Sequence, residues 1–121
     1  MITEQQLKAD CTPELIKKMV ELAEGFEFIE YDNPYTIILS AHSRWFVTDI
    51  TKWVYGPLLI HRAVEGFNKR NSIVIYAKKN SVCLCDPSVY NDKYFWYDDY
   101  SNSILTKLEC AMLHCLIEVL K

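Results

Sequence analysis

Two pairs of residues have side chains that commonly bind metals. Cys83 and Cys85 alternate along a predicted strand, which places both sulfurs on one face. Cys110 and His114 lie one helical turn apart on a predicted helix. Three thiolates and one imidazole would satisfy zinc, which prefers four nitrogen or sulfur ligands. Neither spacing matches a zinc-finger pair, and free cysteine is among the most buried residue types, so the sequence favours core packing and predicts no metal.

Catalytic chemistry has two further candidates. Cys11 precedes a predicted helix N-terminus, where the helix dipole would lower the pKa of its thiol. No histidine neighbours it in the sequence, and no serine lies in a Gly-x-Ser-x-Gly elbow. Four acids surround an aromatic run without the spacing of a calcium-binding loop: Asp86, Asp92, Asp98 and Asp99. Solvated loop charge explains them, so we predict no catalytic residue and no cofactor.

An aromatic run places six rings in eleven residues: Tyr90, Tyr94, Phe95, Trp96, Tyr97 and Tyr100. On a strand, Tyr94 and Trp96 would face one side, and Phe95 and Tyr97 the other. One pair can fill the core, whereas the second needs a covering helix or a partner, because contiguous exposed aromatic residues mark interaction sites. The candidate binding residues are Tyr94, Trp96, Tyr97, Tyr100 and Arg62. A covered central strand is the alternative.

Helix signals flank this run on both sides. Thr12 is a predicted N-cap, followed by an amphipathic helix over residues 13–24 that Gly25 ends. Thr106 and Glu109 form the capping-box pattern at the start of a C-terminal helix.

A further predicted helix begins at Pro57 and has Arg62 on its polar side. Gly66 costs this helix about 1 kcal/mol relative to alanine. We therefore predict that Gly66 permits close packing of another element.

Short apolar runs separated by turn residues predict strands over residues 26–31, 35–39, 44–47, 73–76, 82–85 and 94–97. The runs 73–76 and 82–85 read as a hairpin around a Lys-Lys-Asn-Ser turn. Grouped hairpins, rather than strict alternation with helices, favour an α+β fold with a small antiparallel sheet packed with three helices. The chain of 121 residues fits a single domain over 1–121.

Composition excludes several classes of protein. Half of the residues are hydrophobic and 24% are charged, which is typical of a folded domain rather than a disordered chain. Only three glycines occur, widely separated, so the phosphate-binding glycine loops are absent. The longest stretch without Asp, Glu, Lys or Arg is 33–43, which is too short to span a membrane.

Charge and cysteine usage indicate a compartment and a partner class. Thirteen basic and sixteen acidic residues give a net charge of −3, so nucleic acid is an unlikely partner. The middle of the chain is locally basic, and its cations could bind phosphates: Arg44, Lys52, Arg62, Lys69 and Arg70. Five cysteines, an odd number, and the lack of a signal peptide predict reduced thiols and a cytoplasmic location.

Several segments resemble small proteins of unknown activity encoded by tailed bacteriophages and prophages. They are Cys11-Thr12-Pro13-Glu14, the sequence LLIHRAVEGFN at 58–68, and the stretches 105–110 and 116–118. The resemblance implies a phage gene product in a bacterial cytoplasm and carries no site residues with it.

The leading hypothesis is a non-enzymatic protein-interaction or self-associating module, either a homodimer or bound to a protein partner. A nucleic-acid-binding accessory factor is the alternative, with the basic residues on phosphates and the exposed rings stacked on bases. An enzyme with a site assembled from scattered residues is the third hypothesis.

Overall fold

The computed structural model describes residues 1–28, 36–39, 44–46, 56–89, 91–101, 103 and 105–121. Its helices are α1 (Glu4–Asp10), α2 (Pro13–Leu22), α3 (Gly56–Arg70) and α4 (Lys107–Leu120). Its strands are β1 (Phe26–Phe28), β2 (Thr36–Leu39), β3 (Arg44–Phe46), β4 (Val74–Ala77), β5 (Ser81–Cys85) and β6 (Lys93–Trp96). The remaining parts of the predicted strands, residues 29–31, 35 and 47, lie outside the described residues.

The α+β class predicted from the sequence is confirmed, with two differences in detail. The strands form two antiparallel sheets of three, in the orders β1-β2-β3 and β4-β5-β6, rather than one small sheet. The predicted number of three helices is corrected to four in the described residues, because α1 forms as well.

Helix α1 was missed although its N-terminus has a sequence signature. The Thr3 hydroxyl accepts a hydrogen bond from the Gln6 main-chain N–H at 3.2 Å, and the Gln6 amide oxygen accepts one from the Thr3 N–H at 2.8 Å. This reciprocal capping box stabilises a helix of only seven residues. Such a short helix is marginal alone, so its packing decides whether it forms.

Packing of α1 depends on the segment that follows the last strand. Ile2 pairs in parallel with Tyr100. The carboxylate of Glu4 is buried, and its Oε1 accepts hydrogen bonds from the N–H groups of Ser103 at 2.9 Å and Leu105 at 3.2 Å. These contacts hold the first ten residues against the segment that precedes α4.

The predicted caps of α2 and α4 are confirmed. Thr12 accepts a hydrogen bond from the Leu15 N–H at 3.4 Å. Thr106 accepts one from the Glu109 N–H at 3.2 Å, and the Glu109 carboxylate accepts one from the Thr106 N–H at 3.1 Å. Helix α2 ends at Leu22, two residues before the predicted end.

The close approach predicted at Gly66 is confirmed as well. A Cβ atom added at this position would lie 1.8 Å from the carbonyl oxygen of Leu22 at the end of α2. Since no real side chain tolerates that distance, glycine is the residue that lets α2 and α3 pack together.

Helix α4 lies at the centre of the described structure. It packs against α1, α2 and α3 and against all three strands of the β4-β5-β6 sheet. Most of its residues are buried, among them Cys110, Leu113 and Leu116. Helix α4 therefore covers one of the two faces of the β4-β5-β6 sheet.

Candidate interaction surface

The β4-β5-β6 sheet has one face in the core and one exposed. Register places Ala77, Val82 and Phe95 in one row, and the last two are buried in the core. The opposite side of the sheet carries the next row, Tyr76, Cys83 and Tyr94, because successive side chains alternate. We call this side the outer face.

Four large apolar side chains remain exposed on the outer face. Trp96 is 50% exposed, Tyr94 and Val74 are 38% exposed, and Tyr76 is 37% exposed. The rings of Tyr94 and Trp96 stack with centroids 5.5 Å apart and planes 19° from parallel. The structure therefore places Tyr94 and Trp96 on one side of the sheet and Phe95 on the other, as the alternation predicts.

A lysine lies among these rings. The ammonium nitrogen of Lys78 is 5.0 Å from the ring centroid of Tyr94 and 5.5 Å from that of Tyr76. It also donates a hydrogen bond to the Tyr94 hydroxyl at 3.3 Å, which raises the pKa of Lys78. A protonated amine above two rings makes a cation–π contact, so the centre of the outer face carries positive charge.

The rings and the lysine cover the central strand. Ser81 and Cys83 on β5 are almost fully buried, although they belong to the outer face. A hydrogen bond with the Cys83 thiol raises the pKa of the Tyr76 hydroxyl. Small residues on β5 thus leave room for the aromatic side chains of the two flanking strands to lean inward.

The sequence analysis missed Val74 and Tyr76 as members of this face. The run 73–76 alternates between exposed and buried positions, as Ile75 is buried between them. That alternation is visible in the sequence, but only the pairing of β4 with β5 brings Tyr76 beside Tyr94.

Two of the four predicted aromatic binding residues lie off the outer face. Tyr97 begins a short 3₁₀ turn, Tyr97–Asp99, is half-buried, and donates its hydroxyl hydrogen to the Lys78 carbonyl at 2.9 Å. The assignment of Tyr100 as a surface residue is corrected: it is 1% exposed and packs in the core. Tyr90, the first ring of the run, lies outside the described residues.

Arg62 lines a groove of about 190 Å³ between the end of α2 and the middle of α3, and none of the predicted aromatic residues lines this groove. Lys69 and Arg70 line the same groove, and so do three acids, Glu21, Glu24 and Glu65. The acids oppose binding of a phosphate chain. Of the other predicted phosphate-binding residues, Lys52 lies outside the described residues, and only the backbone of Arg44 is described.

The cysteines do not converge. Within the described ranges, no group of three His, Cys, Asp or Glu side chains is arranged to hold a metal ion. Cys83 and Cys85 share the outer face of the sheet, whereas Cys110 and Cys115 lie on α4 in the core. The predicted pKa-lowering at Cys11 is corrected, because burial raises the pKa of its thiol to about 12.

All five thiols are free in the structure, and four are buried. Burial also raises the pKa of Cys110 and Cys115 to about 12, so they are unreactive near neutral pH. We expect a thiol-specific chromogenic reagent to react readily with Cys85 alone in the native protein and with five thiols after denaturation. Rapid native reaction of Cys110 or Cys115, identified by mass spectrometry, would contradict this burial.

His114 forms a polar network beside a concavity of about 350 Å³ at the side of α1. Its Nδ1 lies 2.8 Å from the Tyr100 hydroxyl, and its ring makes edge contacts with Phe95 and Tyr100. Burial raises the pKa of Tyr100 and lowers that of His114, so both groups are uncharged at neutral pH. A carboxylate oxygen of Glu118 lies 3.8 Å from Nε2, which favours the tautomer with its proton on Nε2 and with Nδ1 accepting the Tyr100 hydroxyl hydrogen.

The lowered pKa of His114 predicts a pH-dependent stability. Burial is the main cause; Glu118 and Asp10 oppose it, and Lys93 and Lys121 add to it. Because the unfolded histidine titrates near 6.5, the stabilising effect is complete above that pH and is lost as the pH falls towards the folded pKa. The free energy of unfolding should fall there by at most about 1.4 kcal/mol per pH unit.

Chemical denaturation at a series of pH values between neutral and mildly acidic measures this loss. The matched variant His114→Gln can still accept the Tyr100 hydrogen bond but does not titrate. Its stability should therefore decline less steeply over the same interval. Parallel curves for the two proteins would mean that His114 keeps its ordinary pKa in the fold.

Comparison of the chain with known protein families, with curated proteins and with solved structures finds no match. Among the helices described, none is both long enough and apolar enough to cross a membrane. Of the seven large apolar side chains that are exposed in the described part of the chain, four lie on the outer face.

Proposed function

We propose that this protein is a non-enzymatic, self-associating interaction module whose contact surface lies at β6 on the outer face. The observation that carries the proposal is the group of exposed apolar side chains around the stacked rings of Tyr94 and Trp96. Together the group leaves roughly 300 Å² of apolar area in water, since an aromatic side chain has about 150–250 Å². Patches of that size on a monomer are often functional.

The expected association is weak. A stable protein–protein interface buries about 800 Å² per partner, which is well above the area of this patch. Burial of aromatic rings at a contact centre gives the largest single contributions to binding. After the cost of losing translational and rotational freedom, a dissociation constant of about 10 µM to 1 mM is expected.

The resemblance of the segments quoted above to small phage and prophage proteins supports a setting for this module. We propose that it acts in the cytoplasm of a bacterial host, where its five thiols remain reduced.

Sedimentation velocity over a range of concentrations tests self-association. The wild-type average mass should rise with concentration towards that of a dimer, whereas Trp96→Ala should fold normally and associate more weakly. Tyr97→Ala should instead lower folding stability, because Tyr97 is half-buried and packs against the core. Leu58→Ala is the matched control: Leu58 is also 38% exposed, but it lies on α3, and its replacement should leave the association unchanged.

A wild-type chain that remains monomeric at every concentration would contradict the proposal. So would a salt-sensitive complex with single-stranded DNA that Trp96→Ala abolishes, because that result would support the nucleic-acid alternative. The mixed charge of the groove at Arg62 argues against that alternative.

A further inference from the structure

The two edges of the β4-β5-β6 sheet differ in whether their main-chain groups have partners. In an antiparallel pair, every second residue directs its N–H and C=O towards the neighbouring strand, and the residues between direct theirs away. At each edge, one hydrogen bond at the end of the strand shows which residues direct their main-chain groups away from β5.

The β4 edge is closed at Ile75 by a side chain. The Lys78 N–H donates to the Ser81 carbonyl at 2.7 Å, so the main-chain groups of Ile75 point away from β5. There, the Ile75 N–H donates to the Asn68 amide oxygen at 2.7 Å, and the Asn68 amide nitrogen donates to the Ile75 carbonyl at 2.7 Å. The Asn68 amide on α3 thus imitates one residue of a neighbouring strand.

The β6 edge has no such closure in the described part of the chain. The Tyr97 N–H donates to the Asn80 carbonyl at 3.0 Å, which places Phe95 in the next hydrogen-bonded pair with β5. The N–H and C=O groups of Tyr94 and the N–H of Trp96 therefore point outwards, away from β5, whereas the Trp96 C=O, as the N-cap of the 3₁₀ turn, also accepts the first hydrogen bond of that turn. An edge strand with outward main-chain groups and exposed aromatic side chains is a template for another strand.

This edge is complementary to itself. If two copies of β6 pair antiparallel with Phe95 opposite Phe95, Tyr94 of each copy falls opposite Trp96 of the other. Those two residues are the ones with outward main-chain groups, so this register forms two hydrogen-bonded pairs with four hydrogen bonds, two of which use the second lone pair of a Trp96 carbonyl that already accepts a bond within the 3₁₀ turn. It also aligns the exposed rings, because residues opposite each other in a sheet project from the same face.

We propose that the chain dimerises by antiparallel pairing of β6 with β6 of a second copy, which joins the two sheets into one sheet of six strands. The inference rests on the proposed function and specifies how the self-association takes place. A two-fold axis midway between the two Phe95 residues relates the copies, and the exposed aromatic rings of both chains lie together on the outer face.

Lys78 favours edge pairing over stacking of two outer faces. Its ammonium lies between the rings of Tyr76 and Tyr94, and therefore over β5. In the edge-paired dimer, the two ammonium groups are three strand spacings apart, about 14 Å, which is beyond the screening length at moderate salt. Face-to-face stacking would instead bury this cation at the centre of the contact, where it would have to lose its water.

Amide hydrogen exchange of the 121-residue chain as a function of concentration tests the pairing. The amides of Tyr94 and Trp96 should exchange rapidly in dilute solution. They should slow about tenfold when nine-tenths of the chains are dimeric, because exchange then proceeds through the remaining monomer. The Phe95 amide, which is already bonded to β5, is the internal control and should not change between the two concentrations.

Two variants at one position separate the main chain from the side chain. Trp96→Pro and Trp96→Val both remove the ring, but only proline also removes the outward N–H, and proline is tolerated at a sheet edge. Trp96→Pro should associate at least tenfold more weakly than Trp96→Val. The exchange measurement on the wild-type protein remains decisive if the proline variant fails to fold.

Each outcome decides the inference. Slowed Tyr94 and Trp96 amides at high concentration support it. A dimer in which these amides keep their dilute-solution rates overturns edge pairing but leaves the proposed self-association intact. A chain that is monomeric at all concentrations overturns both.

Discussion

Replacing Leu116 with alanine is expected to lower the free energy of unfolding by about 2–5 kcal/mol. Leu116 is fully buried on α4, the helix that contacts the other three helices and the β4-β5-β6 sheet. Truncation removes apolar contacts and leaves a cavity that a helix held on several sides cannot close. Because a domain of this size has a total stability of about 5–15 kcal/mol, the loss would be a large fraction of it.

Urea denaturation followed by tryptophan fluorescence and circular dichroism measures this difference. Leu58→Ala is the control, because it deletes the same side chain from an exposed position on α3. Leu58→Ala should lower the free energy of unfolding by well under half as much as Leu116→Ala. Equal, small effects at the two positions would show that α4 is not the central helix of the fold.

The helices were largely predictable because their signals are local. A cap, an amphipathic period and a stop signal all lie within about fifteen residues, and they identified α2 and α4 together with their N-caps. Helix α1 has the same kind of cap but only seven residues. Its stability comes from the buried Glu4 and its partners about a hundred positions away, which no local pattern contains.

The candidate surface was only partly predictable, because it too depends on contacts between residues that lie far apart in the sequence. Alternation correctly separates Tyr94 and Trp96 from Phe95, but it fails at Tyr97, where the strand gives way to a 3₁₀ turn. The burial of Tyr100 follows from the parallel pairing with Ile2 and from the hydrogen bond to His114. Both contacts depend on the tertiary fold.

Cys11 illustrates a different limit. The prediction of a lowered pKa followed from the position of the residue before a helix N-terminus, which is visible in the sequence. The thiol is buried in the core cluster, and the cost of desolvating a thiolate raises its pKa instead. Burial is a property of the whole fold, so position along the chain alone gave the wrong direction.

Gly66→Ala is expected to destabilise the protein by about 2–3 kcal/mol, which reverses the usual preference for alanine in helices. By intrinsic propensity alone, the substitution would stabilise a helix by about 1 kcal/mol. The added methyl group would lie 1.8 Å from the Leu22 carbonyl oxygen, and this main-chain atom moves only if the end of α2 moves. Arg70 also donates a hydrogen bond to the neighbouring Glu21 carbonyl at 3.1 Å, so the same displacement would break a second link between α2 and α3.

Glu65→Ala is the matched control, because Glu65 precedes Gly66 on α3 and is exposed. Its exposed side chain lines the groove beside α2 but takes no part in the close contact at Gly66, so its replacement should change stability by no more than about 0.5 kcal/mol. Denaturant titrations of the two variants should therefore differ in midpoint by several times the change at Glu65. A stabilised Gly66→Ala protein would mean that helix propensity governs this position and that α2 and α3 do not meet at Leu22.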